Sequence, residues 1–379
     1  MQRGTFQLMK TVNRSLILNK IRLAAPISRA DIAKETGLTP PTVSTIVKEL
    51  IEQGLVVEST LGSSSGGRKP KMLRIRTEGL FVIGVDAGPE TVDCILTTLT
   101  GEVIGTISRN LQVYTNREFL KQLSQAVDYL LESYSVKREH ILGIGIAMHG
   151  VVDAEAGIGQ VAPILKLHNI PIKQEMESAF GVPVKVENDA RAMALGEAWF
   201  GKYDTYETIV AVNIGSGIGA GIIIQGRLLH GAAGLAGEFG HMSIDLNGEI
   251  CACGNRGCLQ TFASGPAIAK RAGMISGEAV YQAAVRGEET ARNILQETGR
   301  TLGIGLINLI HLLNPDRIIL GGGVMQSAAY LLPSLKEEIK ARALTDKAAK
   351  TEIHISELEE RATALGAVAL LLEELFAPV

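Results

Sequence analysis

The chain has 379 residues, enough for two or three domains, and 42 glycines among 46% hydrophobic residues favour an α/β fold rich in tight turns. No apolar run approaches the roughly 18 residues of a membrane span and no signal peptide is evident, so we expect a soluble, cytoplasmic protein. Residues 1–80 carry 13 Lys and Arg against 6 Asp and Glu, a charge of +7 that leaves −10 for the remainder. This basic segment predicts nucleic acid as a partner at one end of the chain.

Three helices are predicted in the first 60 residues. The first ends before Pro26. Ser28 then caps a short second helix that Gly37 ends, and Thr39 caps a third with Pro40 in its first turn. The inner face of the third helix has apolar side chains at helical spacing: Val43, Ile46, Val47, Leu50 and Ile51. A short turn between the second and third helices is typical of a helix-turn-helix.

The outer face of the third helix predicts a DNA contact. Its small polar and basic groups suit base edges and phosphates: Thr39, Thr42, Ser44, Thr45 and Lys48. The strands LVVEST and KMLRIR then predict a wing with Arg68 and Lys69 at its tip, although a Gly/Ser linker between domains would give a similar loop. The helices alone could also dock a protein. The spacing of caps and turn favours DNA, so we expect a winged helix-turn-helix domain over residues 1–78.

From residue 79 onwards the pattern changes to strands with glycine turns. The run FVIGVDAGPETVDCILTTLTGEVI has a weak counterpart in ETIVAVNIGSGIGAGIIIQGRLL, which indicates an internal repeat with one copy in each of two lobes. Further elements are predicted in chain order: a helix at 117–133, strands at 140–147 and 182–186, a largely helical segment at 277–313, a strand at 316–320 and a helix at 362–376. Two lobes with glycine turns facing a cleft predict a ligand site between them.

A cluster of potential metal ligands follows the second copy of this repeat. Cys251, Cys253 and Cys258 lie within eight residues, and His241 lies ten residues before the first of them. Three thiolates and an imidazole suit tetrahedral zinc, one per chain and structural, because four protein ligands leave no open position. A disulfide is the alternative, but it would close a strained ring in a chain with no sign of an oxidising compartment. Cys94 is predicted to be a small buried residue.

The pattern G-E-x-G-H, followed about ten residues later by C-x-C-G-x-x-G-C, resembles the signature of the ROK family of repressors, open reading frames and kinases. The helix-turn-helix followed by SSGGRKP is similar to the xylose-repressor branch of that family. The resemblance covers essentially the whole chain. It implies a two-lobed actin-like, ribonuclease-H-like sugar-kinase fold over residues 79–379, with one lobe at about 79–190 plus the C-terminal helix and the other at about 191–350.

The resemblance also implies zinc at the four clustered ligands and a sugar in the cleft between the lobes. By the family pattern, four residues bind the sugar: Asn188, Asp189, Glu238 and the zinc-bound His241. Asn188 and Asp189 follow a predicted strand, where α/β proteins place ligands, and their amide and carboxylate suit neighbouring hydroxyls. Asn-Asp also favours a helix N-cap in any protein, so both interpretations stay open. In a kinase, Asp189 would be the general base.

Three departures from the family pattern affect the predicted activity. Family kinases carry D-x-G-G-T in the first phosphate loop, whereas this chain has DAGPE, in which Pro89 lacks an N–H and Glu90 places a carboxylate near phosphate. Thr91 does not restore the missing glycine. The family's C-L-E is here C-L-Q, so Gln260 is predicted to contact the sugar in place of a carboxylate. His149 stands where many relatives have proline, and it either touches the ligand or fills the cleft wall.

Taken together, these features predict a DNA-binding repressor that a sugar releases from its operator, most simply xylose or a related aldose. Paired recognition helices require a homodimer or higher homo-oligomer. The GSGIG loop at 215–219 and the triple glycine at 321–323 look intact, but one spoiled phosphate loop should abolish phosphoryl transfer, so neither ATP nor catalysis is expected. The alternatives are an ATP-dependent sugar kinase with an appended DNA-binding domain and a sugar-binding scaffold that controls a protein partner.

Overall fold

The computed structural model describes residues 2–61, 70–201, 203 and 206–376. Its N-terminal part contains three helices and three short strands: α1 (Gln2–Ala24), β1 (Ile27–Ser28), α2 (Arg29–Thr36), α3 (Pro40–Glu52), β2 (Val56–Leu61) and β3 (Lys71–Ile75). The strands form one sheet in the order β1-β3-β2. This arrangement confirms the predicted winged helix-turn-helix fold and adds β1, which the sequence pattern did not indicate.

Local capping contacts fix both ends of α2 and the start of α3. The hydroxyl of Ser28 accepts the N–H of Asp31 at 3.2 Å, and Gly37 ends α2 with a left-handed φ of 69°. Thr39 then caps α3 by accepting the N–H of Thr42 at 3.4 Å. These contacts fix where α3 begins, and its apolar residues consequently face the core of the domain.

The segment after α3 is a hairpin rather than an extended linker. β2 and β3 pair antiparallel from Val56↔Ile75 to Leu61↔Lys71. The pairing on both sides of the loop is what a wing requires. The tip of this wing, with Arg68 and Lys69, lies outside the described residues.

Two five-stranded sheets of equivalent topology form the framework of the remaining chain. Their strands are β4 (Phe81–Ala87), β5 (Thr91–Thr98), β6 (Val103–Asn110), β7 (Ile141–Met148) and β11 (Val184–Asn188) in the first sheet, and β12 (Thr208–Ile214), β13 (Ile218–Ile224), β14 (Arg227–Leu228), β15 (Arg317–Gly321) and β16 (Glu352–Ile355) in the second. The orders are β11-β7-β4-β5-β6 and β14-β13-β12-β15-β16. In each sheet an antiparallel meander of three strands is extended by two parallel strands. The internal repeat predicted from the sequence is thereby confirmed.

Helices and a small third sheet cover these two sheets. They are α4 (Asn116–Ser133), β8 (Val151–Asp153), β9 (Ile158–Ala162), β10 (Leu167–Ile170), α5 (Ile172–Phe180), α6 (Asp189–Phe200), α7 (Gln260–Ala263), α8 (Gly265–Ala272), α9 (Gly277–Val285), α10 (Glu289–Leu313), α11 (Ala328–Arg342) and α12 (Ala362–Phe376). The segment predicted as largely helical is divided into α9 and α10 around Gly287, whose φ is 98°. Among the described residues no helix is long and apolar enough to cross a membrane.

Helices α6 and α12 cross in close contact between the two sheets. A Cβ added at Gly366 of α12 would lie 1.6 Å from the carbonyl oxygen of Ala192 of α6, so only glycine allows this approach. α12 also packs against β4 and β7 of the first sheet, and α6 packs against β12 and β13 of the second. The helix pair therefore links the two lobes through one buried layer.

The DNA-binding unit packs on the same helix pair. Ile17 and Ile21 of α1 belong to one hydrophobic cluster with Val368 and Leu372 of α12. At the edge of this cluster the guanidinium of Arg22 lies over two aromatic rings, 4.4 Å from the centroid of Trp199 and 5.6 Å from that of Phe376. A shared core means that the two parts of the protein cannot move independently without exposing apolar surface.

A candidate ligand cleft beside a cysteine–histidine cluster

Three parallel strands of the first sheet end at the same edge, where the predicted cleft would have one of its sides. β7 lies in the middle, and its Met148 is in register with Ala87 of β4 and with Asn188 of β11. The residues around these strand ends, including Asp86, His149 and Asp189, therefore meet at the carboxyl edge of the sheet. Open α/β sheets bind ligands at such edges.

Asn188 is fully occupied by hydrogen bonds within the protein. Its Oδ1 accepts the N–H groups of Ala190 at 3.0 Å and Arg191 at 3.1 Å, which makes it the N-cap of α6. Its Nδ2 donates to the carbonyl oxygen of Gly150 and to Asp189 Oδ1, each at 2.9 Å. The capping interpretation is therefore confirmed, and the predicted contact of Asn188 with a sugar stays a prediction.

Two acidic side chains at this edge hold their protons more tightly than usual. Burial raises the pKa of Asp189 to about 6, and the Glu238 carboxylate adds to this effect while the N–H of Ala190 opposes it. Burial also raises the pKa of Asp86 well above its ordinary value, with further contributions from the carboxylates of Asp189 and Asp93. In the ionised form such a group accepts hydrogen bonds from hydroxyl groups, and in the protonated form it can also donate one.

The opposite side of the cleft comes from the segment that precedes the cysteines. Glu238 lies beside His241, with Oε2 3.9 Å from Nε2. Gln260 donates through Nε2 to the sulfur of Cys251 at 3.2 Å, and its Oε1 lies next to Gly217 in the GSGIG loop. The predicted residues of this side thus cluster, and the Glu238 carboxylate is one of the groups that raise the pKa of Asp189.

The four predicted metal ligands converge as a tetrahedral site requires. The ligand atoms of His241, Cys251, Cys253 and Cys258 all lie within 4.8 Å of one another. Cys251 Sγ is 3.7 Å from His241 Nδ1, and Cys253 Sγ is 3.7 Å from Cys258 Sγ. Bonds of about 2.3 Å from zinc to sulfur would give a similar spacing at the edges of a tetrahedron. All four cysteines of the chain lie in the described part and are free thiols, so no disulfide forms here.

The sulfur atoms of this cluster differ in acidity. Burial raises the pKa of Cys251, but the Cys253 N–H and the Gln260 amide outweigh it and leave the value lowered. Burial and the neighbouring sulfurs raise the pKa of Cys258 to about 12. A metal ion would therefore have to displace a proton from Cys258, since thiolates are the ligating form.

The proposed DNA face of α3 is open to solvent. Thr39, Ser44, Thr45 and Lys48 are exposed, and Thr42 is half-buried beside the Thr39 hydroxyl, with 2.9 Å between the two oxygens. Lys48 has 77% of its side chain exposed and makes only a loose pair with Glu52 at 3.8 Å. These groups are therefore free to meet a duplex.

Comparison with known proteins identifies the family. The sequence profile of the ROK family matches residues 82–374. The chain belongs to the ROK family. A second profile, for winged helix-turn-helix DNA-binding domains, matches residues 13–57 of this ROK protein.

The relatives of this ROK protein include regulators and kinases. It is 34% identical to a xylose repressor of Caldicellulosiruptor bescii over 98% of each chain. It superimposes with a TM-score of 0.85 on a ROK family transcriptional regulator, a homologue of the Escherichia coli MLC protein, at 31% identity over 97% of each chain. A ROK glucokinase from Streptomyces griseus, solved with glucose and AMPPNP, matches with a TM-score of 0.70 at 28% identity over 76% of this chain and 98% of that one.

In this ROK protein, the segment that corresponds to the first phosphate loop forms hydrogen bonds with the strands next to it. The Thr91 hydroxyl donates to Asp93 Oδ2 at 2.7 Å, and the Glu90 carbonyl accepts the N–H of Leu111 at 2.7 Å. Pro89 contributes no N–H. Thr91 is therefore engaged elsewhere and does not stand in for the threonine of a kinase loop.

A buried ionic network behind the cleft was not predicted from the sequence. Arg191 Nε donates to Glu187 Oε1 at 2.7 Å, and both side chains are at most 2% exposed. Arg191 also donates to the Gly234 carbonyl at 2.6 Å, and His230 lies 2.7 Å from the second oxygen of Glu187. Burial opposes ionisation of Glu187, but these partners lower its pKa overall. The signal was an arginine inside the otherwise small and apolar helical run ARAMALG.

Proposed function

We propose that this ROK protein is a cytoplasmic transcriptional repressor that binds operator DNA through its winged helix-turn-helix and is released by a sugar bound between its lobes. The observation that carries the proposal is the core shared by α1 and α12, because α12 crosses α6, whose first turn carries Asp189 at the cleft. The xylose repressor of Caldicellulosiruptor bescii, similar over 98% of both chains, supports xylose as the first sugar to test.

The DNA partner is proposed from the chemistry of α3 and the wing. The exposed hydroxyls of Ser44 and Thr45 suit base edges, whereas Lys48 suits phosphate. Arg68 and Lys69 at the wing tip would add phosphate or minor-groove contacts. Two such helices reading one operator require a homodimer or higher homo-oligomer, with half-sites about 34 Å apart.

The sugar is proposed to lie between the two sides of the cleft. Asp189 and Glu238 would accept hydrogen bonds from hydroxyl groups, and Gln260 would contribute its Oε1. His241 would present Nε2, since Nδ1 faces the sulfur of Cys251. Asn188 would orient Asp189 and the loop at Gly150 through its hydrogen bonds.

A structural zinc ion is proposed for the cysteine–histidine cluster. The spacing of the four ligand atoms fits tetrahedral coordination, and four protein ligands would leave no position for a reacting water. Zinc would supply rigidity. His241 Nδ1 would be its ligand, which leaves Nε2 for the sugar beside the carboxylate of Glu238, whose Oε2 lies 3.9 Å away. The ion would thereby hold two sugar-contacting side chains in place.

A sugar kinase is the alternative function, with Asp189 as general base and ATP on the glycine loops. The intact loop at 215–219 and the similarity to the Streptomyces griseus glucokinase favour it. The first loop opposes it, because Pro89 removes a donor and the Thr91 hydroxyl is bonded to Asp93. Phosphoryl transfer depends on neutralising phosphate charge, so we expect neither ATP binding nor catalysis.

Release by sugar requires that the two states of the protein bind the sugar with different affinities. If sugar weakens operator binding by a given factor, operator DNA must weaken sugar binding by the same factor. The route proposed for this coupling runs from Asp189 along α6 to Trp199, which contacts Arg22 of α1. A change in the angle between α6 and α12 would then move α1 and the recognition helix.

The test is a titration of the full-length protein with xylose, glucose and N-acetylglucosamine, with and without a DNA fragment from upstream of its own gene. We expect one sugar to bind, to bind more weakly when DNA is present, and to weaken operator binding by an equal factor. Sugar binding with no effect on operator affinity would refute the release mechanism. ATP-magnesium is titrated in parallel, and ADP production with any of these sugars would establish the kinase instead.

The DNA face has its own control. Changing Lys48, Arg68 and Lys69 to Ala should weaken operator binding and reduce the slope of log affinity against log salt by about one for each lost phosphate contact. Lys336→Ala, at an exposed position on α11, serves as the matched control. Operator affinity that is equal in the triple variant and the control would contradict the assigned face.

A further inference from the structure

His149 occupies the centre of the strand edge that forms one side of the cleft. It directly follows β7, whose last residue, Met148, is in register with Ala87 on one side and Asn188 on the other. The next residue, Gly150, accepts the side-chain N–H of Asn188 through its carbonyl oxygen. His149 therefore emerges between the first phosphate loop and the pair Asn188–Asp189.

The imidazole of His149 is buried without a hydrogen-bond partner. The residue is 7% exposed, and neither ring nitrogen makes a hydrogen bond to any described residue. Burial lowers its pKa to about 4, and the nearby Ala87 carbonyl opposes this effect without cancelling it. The ring is thus neutral near pH 7, with one nitrogen that donates and one that accepts. An unpaired buried group of this kind destabilises the conformation that contains it.

The other side chains proposed to hold the sugar offer few donors on this side of the cleft. Asn188 already donates both amide hydrogens, to the Gly150 carbonyl and to Asp189. Asp189, when ionised, can only accept. A sugar hydroxyl that donates a hydrogen bond to Asp189 also has lone pairs, and these need a hydrogen-bond donor. His149 is a neutral side chain at this strand edge, and it has an unused hydrogen-bond donor.

We propose that His149 is a sugar-contacting residue, which donates a hydrogen bond to a hydroxyl group that itself donates a hydrogen bond to Asp189, and so selects among aldoses by hydroxyl stereochemistry. This inference rests on the proposed function, because it names a contact within the same sugar site. It assigns an active role to a position at which many relatives have proline, a residue whose side chain cannot make this contact.

The burial of both nitrogens gives the contact a second consequence. A hydroxyl reaches the ring only after the His149 side chain rotates or the lobes shift, since neither nitrogen is accessible in this arrangement. Sugar binding then satisfies a group that the sugar-free state leaves unpaired. The sugar consequently prefers the shifted arrangement, and such a preference is what a ligand-driven change of state requires.

The experiment compares His149→Phe, His149→Gln and the native chain. Phenylalanine keeps a planar ring but removes both nitrogens, whereas glutamine keeps a donor and an acceptor. His168→Phe, at an exposed histidine on β10, is the matched control. Each protein is titrated calorimetrically with D-xylose, D-lyxose, D-ribose, L-arabinose, D-glucose and N-acetylglucosamine, and its thermal unfolding is recorded without sugar.

We expect His149→Phe to weaken the tightest-binding sugar on the order of tenfold and to narrow the difference between that sugar and its epimers. The same variant should unfold at a higher temperature than the native chain, because it removes an unpaired buried group. His149→Gln should stay within about threefold of native affinity. Weaker sugar binding combined with higher stability is a pattern that a purely structural role does not produce.

Two results would overturn the inference. Native-like affinity in His149→Phe would show that the ring makes no contact with the sugar. An equal loss of affinity for every sugar, together with lower stability and loss in His149→Gln, would assign His149 to packing alone. If the native chain binds none of the six sugars, the proposed function itself fails and this contact fails with it.

Discussion

Asp189 shows how a ligand site can weaken the fold that carries it. Burial raises its pKa to about 6, so the folded chain holds a proton that the unfolded chain releases near pH 4. The contribution of this carboxyl to stability is therefore most favourable below pH 4 and declines as the pH rises through 6. A ligand that donates hydrogen bonds to the ionised form would recover part of this cost.

Asp189→Asn should accordingly stabilise the sugar-free protein while abolishing sugar binding. We expect a gain of about 3 kcal/mol in the free energy of unfolding at pH 7.5, and a gain smaller by about 1 kcal/mol at pH 5, where the native carboxyl is mostly protonated. Thermal unfolding at the two pH values measures the difference, with the exposed Asp346→Asn as control. An equal gain at both pH values would mean that ionisation of Asp189 is not the cause.

Arg191 represents the opposite case, a buried charge whose partners are complete. Its guanidinium meets Glu187 and the Gly234 carbonyl, so it joins the first sheet to the loop that leads to Glu238. Arg191→Ala would leave Glu187 with fewer partners in a site that is 1% exposed. We expect the free energy of unfolding to fall by about 3–5 kcal/mol, because removing one member of a buried ion pair leaves the other charge buried and unpaired.

Urea unfolding measures this loss. Lys270→Ala, which breaks the exposed pair between Lys270 and Glu249, should cost less than about 1 kcal/mol. Equal costs for the two variants would contradict the assigned importance of the buried network. A loss of sugar affinity in Arg191→Ala, measured below its unfolding range, would further indicate that the network positions the Gly234 loop.

At the scale of elements, the segment before and within the cysteines has little regular structure of its own. A three-residue helical turn at Phe239–His241 and two isolated bridges, Ser243↔Cys258 and Ile250↔Arg256, are the regular pairings described between residues 237 and 258. Its backbone hydrogen bonds are those of turns and loops, so a further constraint would help to hold Glu238 in place. The proposed zinc ion would supply that constraint.

We therefore expect about one zinc per chain in freshly purified protein, and removal of the ion by a chelator should lower the unfolding temperature and weaken sugar binding together. Cys253→Ser should lose most of its zinc, whereas Cys94→Ala should retain it, because Cys94 lies in the buried core of the first lobe. Zinc content is measured by metal analysis. A zinc content well below one per chain, together with an unchanged stability of Cys251→Ser, would contradict the proposed zinc site.

Local sequence signals predicted the elements that depend on neighbouring residues. The caps at Ser28 and Thr39 and the helix Ala362–Phe376 form where the pattern indicated. By contrast, β1 has two residues and exists only through its pairing with β3, so no periodicity could reveal it. The break at Gly287 was hidden because both flanking stretches are helical in composition.

The site was predictable in part for a similar reason. Spacing in the chain brought His241 together with the cysteines, and the structure confirms that cluster. The saturation of Asn188 and the pairing of Glu187 with His230 depend on partners about 40 residues away in the chain. Such contacts follow from how the lobes meet, which a single sequence does not specify.

At the scale of the whole molecule, one helix connects the cleft to the DNA-binding unit. α6 begins at Asp189 and carries Trp199 near its other end, where the ring meets the guanidinium of Arg22. Phe376, the last residue of α12, lies on the same guanidinium. Because α6 and α12 pack against different sheets, a change in lobe angle displaces these two rings relative to each other, and α1 must follow or lose the contact.

Arg22→Ala should therefore uncouple the two ends of the protein without disabling either. We expect sugar affinity and sugar-free operator affinity each to stay within about threefold of native, while the factor by which saturating sugar weakens operator binding falls on the order of tenfold. Arg22→Lys should show an intermediate loss, because an ammonium keeps the charge but not the planar stacking on the rings.

Arg14→Ala is the matched control, since Arg14 lies on the same helix but bonds to Gln53 inside the DNA-binding unit. The release factor is measured in both directions, as the effect of sugar on operator affinity and of operator on sugar affinity, and the two must agree. A native release factor in Arg22→Ala would exclude this contact as the route. A reduced factor in both Arg22→Ala and Arg14→Ala would instead assign the effect to the stability of α1, because only Arg22 bridges to the rings of α6 and α12.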